Sequence, residues 1–385
     1  MTARPEISGE RLLAELRELG RIGGRPDGGV DRVAGSPADL EARLWLRGRM
    51  EASGLEARAD ETNNVFARAP GTSAPWLLVG SHTDTVPAGG RLDGAYGVMA
   101  ALEVLRTLYE ARHPASSRLE IVSFHNEEGV TGGGGFSGSR ALTRDTHGRE
   151  ISGYVEIHIE QGPTLDAAGE AIAVVESIVG IRRLKVVITG EPNHAGTTPY
   201  AARRDAGAAA AKLAWQVRDI LQNVDPSMVG NVGVITFDPN SPNVVPGQAT
   251  LVVEMRSSAL QHVDAAQAAV EAAAQAAARD FRCTASAETI LSIAPVQMDP
   301  HIVDLMERVC ARWGGRWRRM VSGAAMTPAR WLQSCRRACC SCRVARASAT
   351  LPWNTRTTGS WSKAPSCCSS PWLSWPRIPL LEARD

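Results

Sequence analysis

Cysteine is almost missing from the first 330 residues of this 385-residue chain. Cys283 and Cys310 stand there alone, and the other six crowd between 335 and 368. A disulfide framework or a thiolate zinc site is thereby excluded over most of the length. An excess of one charge is lacking too: 42 basic residues face 41 acidic ones, a net charge of +1. Nothing in that balance calls for nucleic acid or an anionic membrane surface as a partner. No uninterrupted apolar run approaches the ~20 residues of a membrane span, and no basic leader precedes an apolar core at the N-terminus. The expectation is a cytoplasmic protein with neither membrane nor nucleic acid as partner. Histidine is absent after His301.

What is present alternates. Ser8 caps an amphipathic stretch over 8–19, and Ser36-Pro37 opens a second over 36–54; both read as helices. Segments 64–68, 76–80 and 119–124 read as strands, with a buried helix over 98–108 between the last two. The third strand delivers His125-Asn126-Glu127-Glu128-Gly129. A further segment, 154–162, has period two and places Glu156, His158 and Glu160 on one face. Strands alternating with helices, with polar clusters at the strand ends, predict an α/β sheet whose site lies at those ends. At 183 the texture changes to a strand, a loop over 191–199, an Ala-rich helix, two strands and a second Ala-rich helix. That block reads as an inserted α+β domain at 183–294, with the first domain resuming near Asp299. Two domains suit a chain of this length.

The chemistry-bearing residues gather at the strand ends. His82 closes the apolar run Trp76-Leu77-Leu78-Val79, and Asp93 follows on the Gly-rich loop Gly89-Gly90-Arg91-Leu92-Asp93-Gly94. A histidine on a strand end and a carboxylate on a loop suit a metal site. In the adjacent pair Glu127-Glu128, one carboxylate can ligate while its neighbour faces the reacting water as general acid and base. A donor set of histidine and carboxylate favours Zn²⁺, with Mn²⁺, Co²⁺ or Ni²⁺ as alternatives. Asp84 and His125 are candidates to orient these ligands; His113, His147 and His262 receive no role.

Five ordered motifs carry a family resemblance: Gly80-Ser81-His82-Thr83-Asp84-Thr85-Val86, Arg91-Leu92-Asp93-Gly94, Asn126-Glu127-Glu128-Gly129, His158-Ile159-Glu160-Gln161-Gly162-Pro163 and Asn193-His194-Ala195-Gly196-Thr197-Thr198-Pro199. From about residue 8 to residue 324 the chain resembles the hydantoinase/carbamoylase family of dinuclear metal amidohydrolases. That family includes N-carbamoyl-L-amino-acid hydrolases, β-ureidopropionases and allantoate amidohydrolases. The resemblance implies a metallopeptidase-like catalytic domain, a mixed sheet flanked by helices, over 1–182 and 295–324. It implies that 183–294 is a two-layer α+β sandwich acting as lid and dimerisation domain in a homodimer. Two divalent ions are implied, with Asp93 bridging them and His82, Glu128 and His158 as further ligands. Glu127 becomes the general base and His194 the group that polarises the attacked carbonyl. Gln161, Asn243 and Arg256 become the residues that hold a small substrate carrying a carboxylate. The implied reaction is hydrolysis of the carbamoyl group of an N-carbamoyl-L-amino acid to amino acid, CO₂ and ammonia. Allantoate or another ureido acid is the alternative substrate, followed by aminoacylase or peptidase activity on the same fold.

After residue 324 the resemblance stops. Ser322-Gly323-Ala324 should be followed by Gly-His-Asp-Ala, and later by Ser-His-x-Pro-x-Glu-Tyr-Thr, whose histidine is the last ligand. Instead the chain reads Ala325-Met326-Thr327-Pro328. Those four residues require GCN-ATG-ACN-CCN, and the displaced reading NAT-GAC-NCC permits His-Asp-Ala. The same displacement recovers the second motif over 348–355. The stretch beyond 324 also carries nine basic residues, two acidic residues and five tryptophans, with no period of 2 or 3.6. Residues 325–385 therefore read as an aberrant tail, the product of a shifted frame. A chain lacking that ligand has a non-enzymatic alternative, as a pseudoenzyme or a dimerisation module.

Overall fold

The computed structural model describes residues 5–72, 75–131, 135–144 and 151–323 and the strand at 336–342. The chain divides into two compact units, residues 1–176 with those from 298 onward, and residues 177–297.

The first unit begins with helices α1 (Gly9–Leu19) and α2 (Pro37–Ala52). Each has a serine at its N-cap: Ser8 accepts the Arg11 N–H and Ser36 that of Asp39, which satisfies donors the helix cannot pair itself. Strands β1 (Glu56–Ala59), β2 (Val65–Arg68) and β3 (Trp76–His82) follow, then helix α3 (Ala95–Glu110), β4 (Leu119–Phe124), α4 (Ser137–Arg144), β5 (Ile151–Ile159), the short α5 (Thr164–Ala168) and β6 (Ile172–Ile178). The second unit contributes β7 (Gly180–Thr189), β8 (Asn193–His194), α6 (Ala206–Val224), β9 (Val229–Asp238), β10 (Val244–Val245), β11 (Gln248–Ser257), α7 (Leu260–Asp280), β12 (Thr284–Ile293) and β13 (Val296–Gln297). The chain then returns through α8 (Pro300–Trp313), β14 (Trp317–Ser322) and β15 (Arg336–Cys342).

The first unit is built on a mixed sheet in the order β1-β2-β4-β3-β5-β15-β6. Strands β4, β3 and β5 run parallel, and β1, β2 and β6 pair antiparallel to their neighbours. Because side chains alternate across a sheet, neighbouring residues serve different cores. Ile121 packs with Leu16, Leu46, Met50, Val98 and Leu102 from the helices, and Val122 packs with Phe66, Leu78, Phe124 and Tyr154. The expected mixed sheet flanked by helices is the one observed.

In the second unit a four-stranded antiparallel sheet, ordered β12-β7-β11-β9, packs against α6 and α7. Leu184, Val186 and Ile188 of β7 and Leu251, Val253 and Met255 of β11 meet Ala209, Leu213, Val217, Ala266, Val270 and Ala277. Alanine at these helix positions lets the helices lie close to the strands, giving one two-layer core.

The stretch beyond 324 carries no strand pattern, yet β15 occupies a place in the sheet, parallel to β5 (Arg336 beside Gly153 to Cys342 beside Ile159) and antiparallel to β6 (Cys339 beside Val175). The physical reason is that two strand edges offer backbone donors and acceptors to any extended segment, whatever its side chains. The rest of the tail and His147 lie outside the described residues. No helix among the described residues is long and apolar enough to cross a membrane.

Candidate metal centre

Three parallel strands bring the site together at one edge of the sheet. Register pairs His82 with Phe124, the last residue of β4, so the end of β3 sits beside the chain that leads to Glu127. His158 arrives at the end of β5, on the buried face shared with Tyr154 and Glu156. Glu160 leaves that face: its carboxylate accepts the N–H groups of Thr164 (2.7 Å) and Leu165 (2.9 Å) and caps α5. Asp93 precedes α3, whose N-cap is Gly94 at φ 60°. A Cβ on Gly94 would stand 2.5 Å from the His82 ring atoms, so only glycine admits the imidazole against the helix start.

His82, Asp93 and His158, all buried, offer one ligand atom each within 4.8 Å of one another. His158 Nε2 lies 3.2 Å from Asp93 Oδ1. The other ring nitrogens face carbonyls: His82 Nδ1 is 3.0 Å from the Asp84 oxygen and His158 Nδ1 is 2.9 Å from that of Ile159. An Nδ1–H directed at a carbonyl turns Nε2 toward the cluster, the nitrogen that can ligate a metal once it carries no proton. The donor chemistry, the glycine cradle and the ring orientations together fit a divalent cation. Glu128, expected as a fourth ligand, stands outside this triad. Glu127 Oε2 is 3.6 Å from His82 Nε2, within reach of the reacting centre.

Charges here are strongly perturbed. Burial, then the charges of Glu128 and Asp84, push Glu127 well above the usual carboxylate range. Burial also raises Glu128, to about 7, although His82 pulls it down. For His158 burial lowers the pKa, but the hydrogen bond and charge of Asp93 outweigh it and raise the group to about 9. Burial acts against Asp93 as well, and its bond to His158 still holds it below the ordinary range. At neutral pH the metal-free centre therefore keeps a proton on His158 that a metal must displace. Zinc affinity is expected to rise with pH, about tenfold per unit between ~7 and ~9, and more steeply below ~7, where Glu128 is protonated too. Chelator competition across pH 6 to 9 checks this; a flat profile would contradict it.

Asp84 and His125 are placed differently from expectation. The Asp84 carboxylate does not orient His82, from whose Nδ1 its Oδ1 is 3.8 Å away. It instead accepts the backbone N–H groups of Glu127 (3.3 Å) and Glu128 (3.2 Å), and its backbone oxygen is what faces His82. His125 has its Nδ1 3.8 Å from Asp39 Oδ2. Gln161, read as a substrate residue, donates to Asp93 Oδ2 at 2.6 Å, where its amide hydrogens lie on an oxygen a cation would claim. In the second unit the β8–β10 ladder sets His194 opposite Val244, next to Asn243. His194 is exposed, and the Asn243 carbonyl accepts the Ala195 N–H at 2.9 Å. Arg256, on β11, is paired with Glu254 (2.8 Å). Sequence reasoning missed Arg32, a fully buried arginine behind the site; its only sequence signal is a charged pair in a glycine-rich loop.

The sequence profile of peptidase family M20/M25/M40 matches residues 78–349. The chain belongs to this family. Within it, the chain is 31% identical to an N-carbamoyl-L-amino-acid amidohydrolase of Rhizobium meliloti, over 83% of this chain and 84% of that one. It is 34% identical to an allantoate amidohydrolase of Escherichia coli K12, over 80% and 83%. A solved hydantoinase/carbamoylase family amidase from Burkholderia ambifaria superposes with a TM-score of 0.82 at 32% identity, covering 91% of this chain and 94% of that one. By sequence and by fold the chain thus stands with the hydantoinase/carbamoylase family. The M20 match begins in β3, the strand that carries His82, and continues 25 residues past 324.

Proposed function

We propose that this site hydrolyses the carbamoyl C–N bond of an N-carbamoyl-L-amino acid, with allantoate or another ureido acid as the alternative substrate. The observation that carries the reading is the buried triad of His82, Asp93 and His158 with the Glu127 carboxylate beside it. Two divalent ions, Zn²⁺ in this reading, would be held by the triad together with Glu128, and would supply Lewis acidity and a water acidified toward neutral pH. Glu127, buried and easily protonated, takes the proton of the attacking water as the new C–O bond forms at the ureido carbon. It returns that proton to the nitrogen that leaves when the C–N bond breaks. One water consumed per carbamoyl group yields the amino acid, CO₂ and ammonia. His194 faces the oxygen that gains negative charge, and Asn243 and Arg256 hold the carboxylate of the substrate. The pairing of Arg256 with Glu254 means that the substrate carboxylate must compete with that side chain.

The second unit supports a homodimer with a shared site. His194 and Asn243 lie near the Gln248 end of β11, and Arg256 is eight residues along it (256 − 248), about 26 Å away at strand spacing. One substrate carboxylate meets both Asn243 and Arg256 only if two copies of the chain supply them. A cytoplasmic location accompanies this reading.

We also propose that the chain beyond 324 is read out of frame. Strand β15 supports this. Its codons for Ala338-Cys339-Cys340-Ser341-Cys342, read from the third base with Ser341 as TCN, give NTG-YTG-YTC-NTG. That encodes (Leu/Met/Val)-Leu-(Phe/Leu)-(Leu/Met/Val), a continuous apolar run of the kind found in interior strands of α/β sheets. The function is tested on a frame-restored, zinc-loaded chain by ammonia release from N-carbamoyl-L-amino acids and allantoate, alongside amine release from N-acyl amino acids and dipeptides. Turnover of the ureido compounds is expected; cleavage of N-acyl or dipeptide substrates alone would overturn it.

A further inference from the structure

We propose that segment 30–32 is a brace that holds the metal centre in shape, with Arg32 as its positioning residue. The segment runs beside the loop that links His82 to Asp93 and grips it at four points. Arg32 Nε donates to the Thr83 carbonyl at 2.5 Å. The Arg32 and Thr85 backbones are tied both ways, Thr85 N–H to Arg32 O at 2.9 Å and Arg32 N–H to Thr85 Oγ1 at 2.9 Å. Asp31 Oδ1 accepts the Ala88 N–H at 2.5 Å. Val30 and Gly89 exchange two backbone hydrogen bonds of 2.9 Å. The far end of the guanidinium is anchored as well, with Nη1 on the carbonyls of Leu19 (3.0 Å) and Ile22 (3.1 Å) at the end of α1, where a cation also meets the helix dipole.

Arg32 is fully buried, and Nη2 has no hydrogen-bond partner among the described residues. Burial draws its pKa down to about 10, against the charges of Asp39 and Asp84 that support it. A loop fixed by main-chain contacts alone has no need of a buried cation, which is costly to desolvate. What the cation adds is a grip on Thr83, the residue between His82 and Asp84. Asp84 in turn holds the N–H groups of Glu127 and Glu128. The brace thereby links α1 to a metal ligand on one side and to the general base on the other.

The test is amide hydrogen exchange on the full metal-free chain, comparing Arg32→Met and Arg32→Lys with the unaltered protein. The brace predicts that Arg32→Met speeds exchange on the order of tenfold or more at 83–85 and at 127–128, with β6 unchanged and Arg32→Lys recovering part of the protection. Unchanged exchange at 127–128, or an equal increase in β6, overturns it, since a purely structural arginine loosens the core generally. If Arg32→Met does not fold, Thr85→Val removes one link with the guanidinium in place and is read the same way. A second readout rests on the metal reading: zinc affinity at the triad falls by about 10–100-fold in Arg32→Met. An unaltered chain that retains no zinc counts against the metal reading, and the exchange result still decides the brace.

Discussion

Replacing Glu127 with glutamine in the frame-restored chain is expected to lower kcat on the order of 10²–10⁴-fold while zinc content and KM stay close to those of the unaltered enzyme. The substitution keeps the shape of the side chain and its backbone bond to Asp84, and removes only the group that accepts and returns a proton. Glu127 is not one of the three residues whose ligand atoms cluster, so the metal set survives its loss. Steady-state kinetics with metal analysis on the same preparation checks this. Loss of zinc together with activity would make Glu127 a ligand instead of the base. The same variant tests the shared site. Mixed with a His194→Ala chain, it should regain about a quarter of the active sites, because half of the dimers are mixed and each has one intact site. No recovery would mean that both residues act within one chain.

The second large effect concerns the tail. In the present frame the chain should retain zinc weakly, at one site, and hydrolyse ureido substrates at or near background. The reason is chemical: the triad supplies three protein donors, Glu128 adds one more, and no histidine follows His301. Under the proposed function a second ion would need further donors, and the resemblance places the last of them in the stretch beyond 324. Restoring one base near codon 325 returns that histidine and, with Ser341 as TCN, gives β15 an apolar run in place of Ala338-Cys339-Cys340-Ser341-Cys342. Zinc equivalents after dialysis should then rise from one or fewer to two per chain. Sequencing of the coding DNA shows whether the displacement is an error in reading or a lesion in the gene.

Much of the site was legible because its chemistry is local. His82 ends an apolar run, Asp93 sits between glycines, and Glu127 follows a strand; such positions constrain residue type within a few neighbours. The parallel strands set His82 and His158 near each other, and the loop before α3 brings Asp93 to them. What escaped was set by contacts between distant segments. Asp84 reads as a ligand-orienting carboxylate from its distance of two residues to His82, yet its carboxylate meets the amides of Glu127 and Glu128, some 43 and 44 positions away. The role of Arg32 depends on Thr83, 51 positions on, and no periodicity marks it. Strand β15 was illegible for a different reason. Its place is defined by the free edges of β5 and β6, and its own residues carry no strand pattern in this frame.

The most direct measurement compares two purified, zinc-supplemented chains, the one described here and one with the frame restored after codon 324, for ammonia release from an N-carbamoyl-L-amino acid. The account predicts turnover by the restored chain, with amino acid and ammonia in equal amounts, and background rates from the present one. Full hydrolysis by the present chain, or none by the restored chain, would contradict it.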